Sequence, residues 1–152
     1  MIEQLHHLVE QRAAQAPDAP ALLFRDDTLD YATLARRARA AANGFLAGGL
    51  GAGERVAVYL PKQPETVIAL LAASAAGGAF VPVNPALKPA QVAYILDHCA
   101  VHTLVTSRQR WQALREALGG CGALASIVLV DGPAADEPDA RVTAWTALLD
   151  AA

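Results

Sequence analysis

The stretch RVAVYLPKQPETVIALLAASAAGGAFVPVNP, Arg55 to Pro85, decides the fold. Arg55 to Leu60 is an apolar, β-branched run that reads as a strand. Pro61-Lys62-Gln63 turns the chain, and Pro64 suits the first helical position, where no backbone N–H is needed. Pro64 to Ala76 is apolar nearly all round, as expected of a helix buried on several sides. Gly77-Gly78 ends it, Ala79 to Val83 reads as a second strand, and Asn84-Pro85 breaks that strand. Two fully apolar strands joined through a helix predict a parallel β-α-β unit with a right-handed crossover.

The pattern continues on both sides. Before this unit, Leu5, Leu8, Val9, Ala13 and Ala16 recur at helical spacing until Pro17 stops the run. Ala21 to Phe24 and Thr28 to Asp30 flank the turn Arg25-Asp26-Asp27 and predict a small hairpin. Asp30 suits the N-cap of a helix from Tyr31 to Ala47, with Leu34, Ala38, Ala41, Ala42 and Phe45 on its apolar face. The glycines from Gly48 to Gly53 supply its left-handed C-cap. After the unit come a helix from Pro89 to about His98, a strand Thr103 to Thr106, and a helix Arg108 to Leu118 capped by Ser107. A loop Gly119-Gly120-Cys121-Gly122 leads to a strand Ile127 to Val130. Asp131 to Arg141 is polar and contains proline, and Thr143 is expected to cap a short helix through Leu149. The alternation predicts an α/β fold, a mostly parallel sheet with helices on both faces.

Composition narrows the function classes. The 152 residues suit one domain, and the 54% hydrophobic content is swelled by alanine while aromatics make up only 5%, so close packing on small side chains is expected. Net charge is -3 and no basic stripe is present, which argues against a nucleic-acid partner. Arg36, Arg37 and Arg39 read as a solvated helix face. Cys99 and Cys121 make no disulfide framework and point to a reducing compartment. The N-terminus shows no signal-peptide pattern, and the apolar run Val67 to Ala76 is too short to span a bilayer, so a cytoplasmic protein with no membrane span is expected.

The residues that invite a chemical reading fail on context. Gly48 to Gly53 matches neither G-x-G-x-x-G nor G-x-x-x-x-G-K-[ST], and it follows a helix and precedes a strand, the reverse of a phosphate loop. His98, Cys99 and His102 lie close in sequence, but no further ligand pair of matching spacing accompanies them. His6 and His7 are adjacent on a helix and are expected to point in different directions as surface residues. No Gly-x-Ser-x-Gly elbow occurs. No catalytic, cofactor-binding or metal-ligating residue is assigned.

Four stretches carry a resemblance. Arg12 to Ala21, Leu29-Asp30-Tyr31-Ala32-Thr33-Leu34, Gly51 to Val58 and Ala76 to Pro85 resemble, in order, the opening and first core motifs of the adenylate-forming superfamily. That superfamily includes AMP-forming acyl-CoA synthetases, peptide-synthetase adenylation domains and luciferases. Asp30 stands where Thr or Ser is usual, Thr33 where Glu is usual and Ala76 where Lys is usual. Tyr59 to Lys62 together with Pro85 to Pro89 looks most like the acyl-CoA ligases of exosortase gene clusters.

The resemblance implies that residues 1–130 are the first, flavodoxin-like subdomain of an AMP-binding domain. Residues 131–152 would be a polar connector and short helix leading to a phosphate loop that lies beyond them. It implies a parent ATP-dependent acyl-CoA ligase using ATP, Mg²⁺ and coenzyme A on a small carboxylic acid. The chain would be inactive without the remainder of that adenylating enzyme. The competing expectation is a stand-alone, non-catalytic α/β binding or interaction module derived from the same family.

Overall fold

The computed structural model describes residues 1–119 and 121–151; Gly120 of the expected loop and Ala152 of the expected connector lie outside the described residues. In chain order the elements are α1 (Leu5–Gln15), β1 (Pro20–Phe24), β2 (Asp27–Asp30), α2 (Tyr31–Ala47), β3 (Arg55–Tyr59), α3 (Pro64–Ala75), β4 (Ala79–Pro82) and α4 (Pro89–His98). There follow β5 (Val101–Thr106), α5 (Arg108–Leu114) running into a 3₁₀ turn (Arg115–Leu118), β6 (Ser126–Leu129), β7 (Val142–Ala144) and α6 (Trp145–Asp150).

β1 and β2 form the antiparallel hairpin, and the other strands form one parallel sheet in the order β4-β3-β5-β6-β7. Counted from β3 this is 2-1-3-4-5, the flavodoxin-like doubly wound order. Successive side chains of each strand enter opposite layers, as the two-residue period requires. Val56, Val58, Val105 and Val128 join a core with α2, α3 and α6. Ala57, Tyr59, Leu104, Ile127 and Leu129 join a second core with α4, Trp111 and Leu114 of α5.

Small residues let these layers approach. Ala38, Ala41 and Ala42 of α2 and Ala69, Ala72 and Ala73 of α3 are buried in one core. Gly44 is buried too, and a Cβ there would run into the Leu148 carbonyl oxygen of α6. The sequence reading omitted Gly44 from the buried face, since nothing local foretells that α6 folds back onto α2.

The glycines after α2 and α3 make one joint. At the end of α2, Gly49 (φ +91) donates to the Leu46 carbonyl (3.0 Å) and Leu50 to the Phe45 carbonyl (3.0 Å), the paired bonds of a Schellman motif. At the end of α3, Gly77 (φ +75) donates to Ser74 (3.1 Å) and Gly78 to Ala73 (2.9 Å), the same motif again. The two exits then clasp. Gly53 N–H donates to the Gly77 carbonyl (2.9 Å), and Ala79 N–H donates to the Glu54 carbonyl (2.8 Å). A Cβ on Gly78 would lie 2.9 Å from the Glu54 carbonyl oxygen and 3.2 Å from a Leu50 methyl, so β3 and β4 start in register only with glycine there.

β4 is an edge strand, and its proline fits that place. Ala79 and Val83 donate inward to β3, so Phe80 and Pro82 turn their backbone edge outward. At Pro82 that edge offers no N–H for another strand to take.

The structure departs from the sequence reading toward its C-terminal end. Residues 142–144, read as part of a connector, add the fifth strand beside β6. Thr143 therefore sits inside β7, and Ala144 rather than Thr143 holds the N-cap position of α6, without a side-chain cap. The helix expected to run to Leu118 tightens into the 3₁₀ turn at Arg115. A three-residue strand flanked by polar segments carries too little periodicity to be read alone.

The joint gives a test. Gly77→Asn meets open space in a left-handed position that asparagine tolerates and should leave the urea midpoint nearly unchanged. Gly78→Ala should lower stability by about 1–3 kcal/mol through overpacking. Equal losses for the two variants would contradict the joint as described.

Candidate functional site

In doubly wound sheets, ligands bind outside the carboxyl ends of the strands where the strand order reverses. Here that place lies between β3 and β5. The chain's own groups bridge it. Thr106 Oγ1 of β5 donates to the Tyr59 carbonyl of β3 (2.7 Å), and the Tyr59 hydroxyl donates to the Leu87 carbonyl (2.8 Å). The Arg110 guanidinium of α5 lies 4.5 Å from the Tyr59 ring centroid, and its Nη1 donates to the Pro85 carbonyl (2.9 Å). Asn84 Oδ1 accepts from Ala86 N–H (2.9 Å), which shapes the turn that brings Pro85 and Leu87 there. Beside it, Arg108 Nε donates to the Gly132 carbonyl (2.9 Å), and Asp131 Oδ1 accepts from the Arg108 backbone N–H (2.8 Å). This is a brace that fixes the carboxyl edge. Sequence reasoning missed Tyr59 and Arg110, because their partners are carbonyls from distant loops.

The glycine run lies at the opposite, amino edge of the sheet, and it cannot cradle phosphate. Gly48, Gly49 and Leu50 donate to carbonyls of α2, Gly51 to the Glu54 carboxylate (2.7 Å), Gly53 to Gly77 and Glu54 to Gly51. Donors already engaged in this way are not available to an anion.

His98, Cys99 and His102 go separate ways. His98 stacks on Tyr94, the Cys99 carbonyl accepts from Arg55 Nε (2.6 Å), and His102 Nδ1 meets Thr103 Oγ1 (2.9 Å) with Nε2 3.8 Å from Glu54. Cys121 is a half-buried free thiol, and burial with the nearby Asp97 carboxylate pushes its pKa up, away from nucleophilic use.

His6 and His7 are a correction. Their rings meet edge to face at 4.3 Å, and donor atoms from His6, His7 and Glu10 all lie within 4.8 Å of one another. Neighbouring side chains on the first turn converge because each is drawn to a different anchor. His6 Nδ1 contacts Ser74 Oγ of α3 (3.0 Å), His7 Nδ1 accepts from the backbone N–H groups of Glu3 and Gln4 (3.3 and 3.4 Å), and Glu10 pairs with Arg39 of α2 (3.2 Å). With His7 Nδ1 engaged by the backbone and Glu10 already paired, His6 and Glu10 attach α1 while His7 ties down the chain entering it, and the trio does not form a ready metal site. The arginines read as one solvated face also divide: Arg39 pairs with Glu10, while Arg36 and Arg37 line a cleft at the carboxyl edge.

Comparison with known proteins bears on this geometry. A family model described as AMP-binding enzyme matches residues 9–147. The chain is 38% identical over 138 residues to the sulfoacetate–CoA ligase of Cupriavidus necator, covering 90% of this chain and 27% of that protein. Its fold superposes on the crystal structure of coronafacic acid ligase from Pectobacterium brasiliense with a TM-score of 0.90 at 15% identity, over 97% of this chain and 29% of the other. The anthranilate CoA ligase AuaEII gives a TM-score of 0.87 at 19% identity, over 97% and 28%. At those identities the structures speak for the fold alone. The chain thus spans little more than a quarter of the length of each of these three proteins.

The attachment of α1 is sensitive to pH. None of its residues is fully buried: Val9 packs against the core only in part, and the polar links supplement it. Desolvation, then the neighbouring His7, lowers the His6 pKa below 6.5, with Glu10 opposing. A depressed pKa means that the proton binds more readily once α1 detaches. Docking is therefore unaffected above the ordinary histidine range and weakens as pH falls through the lowered value. Hydrogen-exchange protection of α1 should drop between about pH 7.5 and about pH 5 while β3 stays protected, and His6→Asn should flatten the dependence. Protection of α1 that is constant over this range would refute the assignment.

Proposed function

Because the chain belongs to the AMP-binding enzyme family, we propose that it is the opening α/β lobe of an ATP-dependent acid–thiol ligase. The whole enzyme would join a small carboxylic acid to AMP with release of pyrophosphate, and coenzyme A thiol would then displace AMP. The observation that carries this reading is the 38% identity to the sulfoacetate–CoA ligase of Cupriavidus necator over 90% of the chain. The name of the similar sulfoacetate–CoA ligase supports a carboxylate substrate class.

ATP, Mg²⁺ and coenzyme A belong to this proposal as groups of the whole enzyme. Neither the glycine run nor the edge between β3 and β5 fits them: the run's glycine N–H groups are engaged, and the edge is braced by Tyr59, Thr106 and Arg110. No catalytic step is derived from this chain. The lobe's part is to present a rigid carboxyl edge to the rest of the polypeptide. A reducing, cytoplasmic setting goes with the reading, and the free Cys99 and Cys121 support it. Among the described residues no helix is long and apolar enough to cross a membrane.

Carboxylate-dependent exchange of pyrophosphate into ATP tests the reading with two proteins. The product of the complete reading frame should catalyse exchange with at least one acid in a panel of sulfonated, aromatic and aliphatic carboxylates. The 152-residue chain should show none above a protein-free control. Carboxylate-dependent exchange from the chain alone, or none from the complete product across the panel, would overturn it.

A further inference from the structure

A cleft of about 730 Å³ opens between the β1–β2 hairpin and the N-terminal ends of α2 and α3. α3 follows β3, so the cleft lies at the carboxyl edge of the sheet, where doubly wound folds take their ligands. It lies apart from the brace at Tyr59 and Arg110.

The charges around it are unlike those elsewhere on the molecule. Arg39, Arg115 and Arg141 pair with carboxylates. Arg55, Arg108 and Arg110 donate to backbone carbonyls. Arg12 lies against the Tyr31 ring. The remaining arginines are Arg25, Arg36 and Arg37, and all of them line this cleft. Among the described residues none of the three has a carboxylate or carbonyl partner. Arg25 lies over the Phe24 ring at 5.1 Å, and Arg36 donates only to Thr33 Oγ1 at 3.3 Å. Arg25 also occupies a left-handed backbone position (φ 54) at the hairpin turn, where glycine would sit without strain. Two carboxylates, Asp27 and Glu65, line the cleft as well, Glu65 accepts from Gln63 Nε2 (3.0 Å), and behind the lining the Asp30 carboxylate caps α2 and feels the Arg36 charge. Among the lining residues the three guanidinium groups outnumber the two carboxylates, in a chain whose net charge is -3. The first turn of α3 adds the positive end of a 12-residue helix.

We propose that the cleft framed by Arg25, Arg36 and Arg37 binds a phosphate-bearing small molecule. Several guanidinium forks around one opening suit an anion with several charged oxygens, and a lone carboxylate would occupy only one of them. The opening is of the size that holds a small organic phosphate, and the absence of a wider basic stripe disfavours a nucleic-acid strand. The site is read from this chain's own residues and does not depend on the ligase reading, so binding here can succeed where exchange fails, and the reverse.

Calorimetric titration of the 152-residue chain tests it, with pyrophosphate, metal-free ATP and adenosine as separate probes. Saturable 1:1 binding of pyrophosphate or ATP, with no binding of adenosine, is expected. Equal affinity for the two would identify the free anion as the source, and tighter ATP binding an organic phosphate. The Arg36→Gln/Arg37→Gln double variant should weaken binding by at least about tenfold. Arg25→Gly should weaken it too while keeping or raising the urea midpoint, which separates lost binding from lost folding. Lys88→Gln should change nothing. Absence of saturation up to about 5 mM, equal binding of adenosine, or affinity unchanged in the arginine variants would overturn the proposal.

Discussion

The first strands of the parallel sheet meet where a carbonyl oxygen of one chain segment faces a residue without a side chain. Glu54 and Gly78 approach so closely that a Cβ would lie at 2.9 Å, and on each side a glycine in the left-handed region has just ended a helix. Parallel strands cannot be joined by a tight hairpin, so their register must be set by how each helix delivers the chain to the sheet. Here the ends of α2 and α3 are locked to each other by Gly53–Gly77 and Ala79–Glu54 hydrogen bonds before the strands begin. β5, β6 and β7 follow in order on the other side of β3.

The same joint explains why a glycine-rich loop in a nucleotide-linked family is not a nucleotide loop here. Its donors complete helix ends at the amino edge, while the edge where ligands are expected is the other one. At that edge, Tyr59, Thr106, Arg108 and Arg110 tie strand ends to loops through carbonyl acceptors. Such contacts fix backbone positions without exposing reactive groups, and they suit a lobe that supports chemistry carried by other parts of an enzyme.

Much of the fold was legible in the sequence because its elements are long and marked by local signals. Asp30 accepts the Thr33 N–H as an N-cap should, α2 runs from Tyr31 to Ala47, and Pro64 opens α3. What was not legible depends on distant partners. β7 is three residues long and is a strand only because β6 lies beside it. Gly44 is needed only because Leu148 returns to it, and His6 turns toward Ser74, 68 residues away. The family resemblance was legible for a physical reason: Gly77 and Gly78 answer to backbone geometry, which few substitutions satisfy. Sites were less so. Arg36 and Arg37 read as a solvated helix face until the hairpin placed Arg25 across from them.

The clasp between the ends of α2 and α3 should be the last part of the lobe to open. Native-state hydrogen exchange on the isolated chain measures this directly, because amides freed by local opening separate from those freed only by global unfolding. The amides of Gly53, Gly78 and Ala79 should exchange together with those of Val56 and Val58, at the free energy of global unfolding. Exchange of Gly53, Gly78 and Ala79 through a low-energy local opening, with the β3 amides still protected, would contradict it.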